Sequence, residues 1–202
     1  MTGTDSGTEA GGTGQSIVVS GPPAVGKTTL ARALAADMSM SYVSGGDVLK
    51  EMASDLGYDT AGDDWWDTED GMRFLREREQ NHGFDRRLDE RLKGMFERGG
   101  IVVTSYTLPW LVAPGTGIKI WLDGSHTSST ERMQNRDSVS EQQAYEITRE
   151  RYDKNRRLYR EIYGFDFGGD ASVFDHIIKT DGLSAEQVVE AARNAIRDGV
   201  TS

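Results

Sequence analysis

The sequence of 202 residues contains no cysteine. A disulfide, a thiolate metal site and a cysteine nucleophile are therefore excluded. Lysine is scarce, with 6 Lys beside 17 Arg among the 23 basic residues. Against them stand 33 carboxylates, for a formal net charge of −10. That sign argues against nucleic acid or an anionic membrane as the main partner. An excess of carboxylates over lysines is also what adaptation to high salt would produce. No apolar run approaches the ~18 residues of a membrane span, and the N-terminus lacks an apolar signal region. The expectation is a soluble, cytoplasmic protein. Histidine is limited to His82, His126 and His176, scattered and without a nucleophile–base arrangement.

The stretch that organises the rest is Gly21-Pro22-Pro23-Ala24-Val25-Gly26-Lys27-Thr28-Thr29. It fits G-x-x-x-x-G-K-[ST], the phosphate-binding P-loop. Gly21 and Gly26 permit the backbone angles of a loop wrapped around phosphate oxygens. Successive N–H groups then form an anion nest. Lys27 reaches the β- and γ-phosphates of ATP, and the Thr28 hydroxyl is placed for Mg²⁺. The flanks suit the motif. Ser16-Ile17-Val18-Val19-Ser20 reads as a short buried strand. Thr28-Thr29-Leu30-Ala31-Arg32-Ala33-Leu34-Ala35-Ala36 reads as a helix whose N-terminus also favours phosphate.

Residues 1–14 are rich in Gly, Thr, Ser and Asp without apolar period, and are expected to be a disordered tail. One kinase domain is expected over 15–198, with residues 199–202 as a second tail. A second strand is read at Ser41-Tyr42-Val43-Ser44, ended by Gly45-Gly46, with Asp47 where a helix can begin. Asp47 is either a functional carboxylate or an N-cap. From 48 to 98 the pattern is helical, interrupted by a polar, acidic stretch around Trp65-Trp66. Those tryptophans line a base pocket or pack this excursion against the core, and packing is favoured. Met72, Leu75, Phe84, Leu88, Leu92 and Phe96 follow helical spacing. The excursion is long for a crossover, so a separate cap is expected over about 45–99.

Ile101-Val102-Val103-Thr104-Ser105 reads as a third strand, apolar as a parallel central strand should be. It ends without the Asp that motors and GTPases place there, which weighs against a hydrolytic switch. Ile118-Lys119-Ile120-Trp121-Leu122 and His176-Ile177-Ile178-Lys179-Thr180 read as the fourth and fifth strands. Strands alternating with helices predict an α/β fold with a parallel sheet and helices on both faces. Ser128-Ser129-Thr130-Glu131, Ser140-Glu141-Gln142-Gln143 and Ser184-Ala185-Glu186-Gln187 read as helix starts of the capping-box kind.

Arg132 and Arg136 share a helix face at i, i+4, within a mobile lid expected over about 124–140. Arg149, Asp153 and Arg156 share another face at i, i+4, i+7, with Arg151, Arg157 and Arg160 nearby. A solvated face of internal salt bridges would show the same spacing. In a P-loop chain, however, phosphoryl transfer needs positive charge around the transferring group. An acceptor that is itself a phosphate needs no general base, because its oxygen is already ionised. Positioning and charge stabilisation then suffice. These are the parts of a nucleoside monophosphate kinase.

From about Ile17 to Ile196 the chain resembles the cytidylate kinases, in particular the short archaeal type. The resemblance rests on the P-loop, Val43-Ser44-Gly45-Gly46-Asp47-Val48, Ile118-Lys119-Ile120-Trp121-Leu122, the stretch from Arg149 to Arg156, Tyr159-Arg160-Glu161-Ile162-Tyr163-Gly164-Phe165-Asp166 and the late strand. It implies a five-stranded P-loop fold with strand order 2-3-1-4-5, and ATP-dependent conversion of CMP or dCMP to the diphosphate. It implies that Asp47 lies at the monophosphate site and that Arg132 and Arg136 are lid arginines. Arg149, Asp153 and Arg156 match the Arg-x-x-x-Asp-x-x-Arg pattern with which bacterial members hold the acceptor. The chain departs from the family at Thr104-Ser105-Tyr106, where archaeal members carry Glu-Gly-Arg, and at Trp65-Trp66-Asp67-Thr68-Glu69-Asp70. Two alternatives stay open: a kinase of another small metabolite, and a nucleotide-binding regulator without turnover. ATP, Mg²⁺ and a nucleoside monophosphate, CMP favoured, are the expected ligands, and a monomer is the expected state.

Overall fold

A computed structural model describes residues 14–61, 65, 69–137 and 139–200, without the side chains of Glu69, Met72, Leu75, Glu79, Gln80 and Val200. The expected tail up to residue 13, Trp66 and residues 201–202 lie outside the described residues, as do the side chains of Met72 and Leu75. Five strands form one parallel sheet: β1 (Ile17–Ser20), β2 (Ser41–Ser44), β3 (Ile101–Thr104), β4 (Ile118–Asp123) and β5 (His176–Lys179). Their order is β2-β3-β1-β4-β5, as expected. β-branched residues dominate β1 and β3, and every residue of both is buried, which is the position of strands covered on two faces.

Alternation along the strands sorts side chains between two layers. Ile17, Val19, Val102, Ile120 and Leu122 pack against α1 (Lys27–Asp37) and α8 (Ala185–Val200), through residues such as Leu30, Leu34, Val188 and Ala192. Val18, Ile101 and Val103 face the other way. They share one cluster with α2 (Gly45–Asp55), α3 (Glu69–Gln80) and α4 (Gly83–Arg98), through Val48, Leu49, Phe74, Phe84, Leu88, Leu92 and Phe96. The excursion between β2 and β3 is therefore a helical layer built onto the sheet. Trp65 is fully buried in it, with its ring 5.7 Å from that of Phe74, so this tryptophan packs. A third cluster is aromatic: Trp121 of β4, Tyr159 and Phe167, flanked by Tyr106, Trp110 and Phe165. It lies between the sheet, the short α5 (Leu108–Leu111) and α7 (Glu141–Tyr163), which pairs with α6 (His126–Asp137).

Two helix starts differ from expectation. Gly45 and Gly46 do not separate β2 from the next helix; they open it. Ser44 is its N-cap, accepting the Asp47 N–H at 3.2 Å, so Asp47 is the third helical residue and not a cap. Likewise α6 begins at His126, and the cap hydroxyl is that of Ser125, which accepts the Ser128 N–H at 3.2 Å. The choice among several serines is made by a tertiary contact: the Asp181 carboxylate accepts the Ser125 N–H at 2.9 Å. The other two boxes form where expected, at Ser140 with Gln143 and at Ser184 with Gln187. Among the described residues, no helix is long and apolar enough to cross a membrane.

Candidate active site

The P-loop leaves β1 at the C-terminal edge of the sheet, where neighbouring connections diverge to β3 on one side and β4 on the other. This switch point is where open parallel sheets form their binding crevice. Gly21 has φ +147°, and a Cβ there would lie 2.6 Å from the Leu122 carbonyl oxygen. Gly26 has φ +101° and caps α1. Between them Ala24 also takes a positive φ of 58°. These turns curl the loop so that it ends on the N–H groups of the first turn of α1, a favourable place for an anion. Thr28 and Thr29 stand exposed on that turn. A hydroxyl beside phosphate oxygens and water is a hard oxygen donor set, and it fits the Mg²⁺ of Mg·ATP.

Lys27 folds back on its own loop. Its Nζ donates to the carbonyl oxygens of Gly21 at 3.0 Å and Pro22 at 2.5 Å, and lies 4.6 Å from the centre of the Tyr106 ring. Burial lowers the pKa of the ammonium; Tyr106 opposes the shift, while Arg151 and Arg136 add to it. The lysine thus stands in a field of like charge that a phosphate would relieve.

Tyr106 occupies the turn after β3. The Ser105 hydroxyl accepts the N–H groups of Thr107 at 3.2 Å and Leu108 at 3.1 Å, which holds this turn in shape. Burial would push the Tyr106 phenol up. Lys27, Arg151 and Arg78 together outweigh it and bring the phenol below its ordinary value.

Arg78 reaches this region from α3. Its Nε and Nη2 grip the Asp85 carboxylate of α4, the shortest contact being 2.6 Å, and both side chains are largely buried. One turn further along α4, Asp89 accepts the Thr107 hydroxyl and the Tyr163 hydroxyl, each at 2.5 Å. Burial raises Asp89 to about 6, against the pull of those two donors. This buried polar chain ties α4 to the turn after β3 and to the last turn of α7. The sequence reading passed over Arg78, Asp85 and Asp89. The available signal was two acids at i, i+4 beside the apolar stripe of Phe84, Leu88 and Leu92.

Arg149, Asp153 and Arg156 do share a face of α7, as the spacing requires. In the structure that face lies on the outside. Arg149 sits 3.9 Å from Asp153 and donates to the Tyr145 hydroxyl at 3.2 Å. Arg156 forks onto Asp166 at 2.6 and 2.8 Å, and Arg160 joins the same carboxylate at 2.8 Å. Those arginines hold Asp166 well below the usual carboxylate range. Arg151 is the α7 arginine that bears on Lys27, Tyr106 and Asp137. It lies roughly 200° around the helix from Arg149. Of the two lid arginines, Arg136 pairs with Asp137 at 2.5 and 2.6 Å and also bears on Lys27. Arg132 instead donates to the Thr180 carbonyl oxygen at 2.7 Å and to its hydroxyl at 3.3 Å, clasping α6 to the turn after β5. Asp47 stands exposed in the first turn of α2, at the same edge of the sheet as the P-loop.

The sequence profile of the cytidylate kinase-like family matches residues 16–182. The chain belongs to the cytidylate kinase-like family. The match takes in the P-loop, the turn carrying Tyr106 and the whole of α7. Within the family, the cytidylate kinase of Pyrobaculum aerophilum is 33% identical over 173 residues, spanning 86% of this chain and 88% of that protein. The cytidylate kinase of Natronomonas pharaonis is 32% identical over 183 residues, 89% of each. Among solved structures, a shikimate kinase from Acinetobacter baumannii superposes with a TM-score of 0.57 at 18% identity, covering 92% of this chain and 94% of its own. A gluconokinase from Sinorhizobium meliloti gives 0.54 at 19% identity, covering 94% and 96%. These likenesses show a P-loop kinase fold. Family and fold together make the chain a kinase of the nucleoside monophosphate type.

Proposed function

We propose that this kinase transfers the γ-phosphoryl group of Mg·ATP to CMP or dCMP, acting as a cytoplasmic monomer. The observation that carries the reading is the P-loop geometry: positive-φ Gly21 and Gly26 curl the loop onto the N-terminus of α1, and Lys27 lies under it on the Gly21 and Pro22 carbonyls and the Tyr106 ring, with Arg151 and Arg78 adding positive charge to the same corner. Phosphoryl transfer to a phosphate brings two polyanions together, and a ring of cations offsets their repulsion. The cytidylate kinase names of the relatives favour cytosine as the base.

The roles follow from position. Gly21, Pro22, Pro23, Ala24, Val25 and Gly26 cradle the ATP phosphates with Lys27 and Thr29, and Thr28 meets Mg²⁺. Arg136 closes over the transferring group with the lid over 124–140, and Arg132 joins it if it leaves Thr180. Asp47 and the layer over 45–99 receive the acceptor. Arg149, Asp153 and Arg156 can hold the acceptor only if α7 rolls as the lid closes. Arg151 needs no such roll, and we assign it the contact with the transferring phosphate.

The test is ADP release coupled to a spectroscopic readout, over a panel of monophosphates at low and high salt. CMP or dCMP should give the highest kcat/KM. Equal rates across CMP, UMP, AMP and GMP would remove the cytosine preference. ATP binding with no ADP release for any acceptor would leave a regulator instead of an enzyme.

A further inference from the structure

We propose that the Tyr106 hydroxyl is a direct contact for the phosphate group of the acceptor. The proposal rests on the kinase reading only in taking the acceptor to be a phosphate ester.

The geometry is that of a fixed ring with basic side chains around it. The turn that carries Tyr106 is pinned by Ser105, and the Ser20 hydroxyl donates to the Tyr106 carbonyl oxygen at 3.5 Å. The ring is wedged edge-on against Phe167, with centroids 5.5 Å apart at 86°, and lies 6.3 Å from the Tyr159 ring. It therefore cannot swing away without breaking the aromatic cluster. Lys27 of α1 covers one face. Arg151 and Tyr159 approach from α7, and Arg78 from α3. The two buried acids of α4 are engaged elsewhere: Asp85 holds Arg78, and Asp89 takes the hydroxyls of Thr107 and Tyr163. The phenol is thus the acidic group on which three cations bear, each from a different helix.

Basic side chains of that kind around one hydroxyl suit a tetrahedral oxyanion. Lys27, Arg151 and Arg78 bear on the phenol and loosen its hold on its proton. When a phosphate enters, the cations turn to the phosphate oxygens. The phenol then keeps its proton and donates it as a hydrogen bond. The position also suits the acceptor better than the donor. In this reading the P-loop amides take the ATP phosphates, whereas the turn that carries Tyr106 is tied through Thr107 to Asp89 of α4, in the helical layer over 45–99, and Arg78 of α3 bears on the ring.

The experiment reads Tyr106 by its own titration. Absorbance near 295 nm is followed with pH for the wild type and for Tyr106→Phe, and the difference isolates this phenol. Tyr58, Tyr152, Tyr159 and Tyr163 are all held above the ordinary value, so they titrate later. Inorganic phosphate, and then CMP, should move the Tyr106 step upward; this shift is read on the wild type and needs no stable variant. In kinetics, Tyr106→Phe should leave KM for ATP within about twofold and raise KM for the monophosphate about ten- to a hundredfold, the loss of one hydrogen bond to a charged group. A Tyr106 step that phosphate and CMP leave unmoved overturns the proposal. So does unchanged acceptor KM in Tyr106→Phe, or an equal loss of ATP affinity, which would place the effect on Lys27. If no monophosphate is turned over but inorganic phosphate still raises the Tyr106 step, the acceptor reading fails and the phosphate contact stands.

Discussion

Lys27 is held by carbonyls of its own loop and by the face of the Tyr106 ring, and it fills no place in the apolar clusters. Lys27→Ala should reduce kcat by about 10²–10³-fold or more, the cost of removing a donor aimed at developing charge. The melting midpoint should stay within error. Near-normal turnover in this variant would refute the P-loop as the donor site. Arg151 and Arg156 make a sharper comparison, because sequence spacing selected the second and the structure selects the first. Arg151→Ala should lower kcat/KM for the monophosphate by roughly 1.5–3 kcal/mol, as for a hydrogen bond to a charged group. Arg156→Ala should cost only a little stability instead, since its pair with Asp166 is exposed. Steady-state kinetics and urea melts on the two variants decide between the faces. If Arg156 carries the kinetic loss and Arg151 does not, α7 turns in the complex.

At the level of elements, Asp89 joins α4, the turn after β3 and the end of α7 through two hydroxyls. Its folded value of about 6 is raised above the 3.8 of a free carboxyl. The folded state therefore binds the proton more tightly than the unfolded chain. Asp89 contributes most below pH ~4, and that contribution is lost as pH rises through ~6. Relative to Asp89→Asn, which cannot ionise, the wild type should lose about 2–3 kcal/mol of unfolding free energy between pH 4 and pH 7. Urea unfolding of both proteins across that range measures the difference, and parallel profiles would mean the carboxyl is solvated. The hairpin of α6 and α7 makes a second case. Its arginines repel one another around Lys27 until phosphates arrive, so closure should follow nucleotide binding. Amide exchange over 124–140 should slow with a bisubstrate analogue bound; equal exchange with and without it would rule out a lid.

For the molecule as a whole, the charge of −10 is a destabilising self-repulsion that salt screens. The melting midpoint should therefore rise steadily from low salt to about 1 M KCl, and a midpoint that falls with salt would show that attractive pairs dominate. The exposed pairs Arg91–Glu51, Arg156–Asp166 and Arg193–Asp37 oppose the trend, but each is worth little in water. The acceptor chemistry also belongs to this scale. The crevice exists because the chain lays β2 and β3 on one side of β1 and then crosses to lay β4 and β5 on the other.

What the sequence by itself determined was whatever is written in local order. The P-loop is contiguous, and its glycines carry the positive φ angles that the motif requires. The strands are short apolar runs, and their alternation with helices made a parallel α/β sheet legible, while the 2-3-1-4-5 order came from the family resemblance that the same local motifs carry. Capping boxes at Ser140 and Ser184 are also local, and they formed where the pattern placed them. Three things were decided only in the tertiary structure. The cap hydroxyl of α6 went to Ser125 because Asp181, distant in sequence, accepts its N–H. The α7 arginine that bears on Lys27 is Arg151, because helical spacing says which residues share a face but not which face meets the P-loop. Tyr106, Arg78, Asp85 and Asp89 come from different segments, and only packing brings a phenol, a guanidinium and two acids together at low solvent exposure. Burial raises the Asp89 carboxyl, and burial is a property of the assembled layers, not of any stretch of chain.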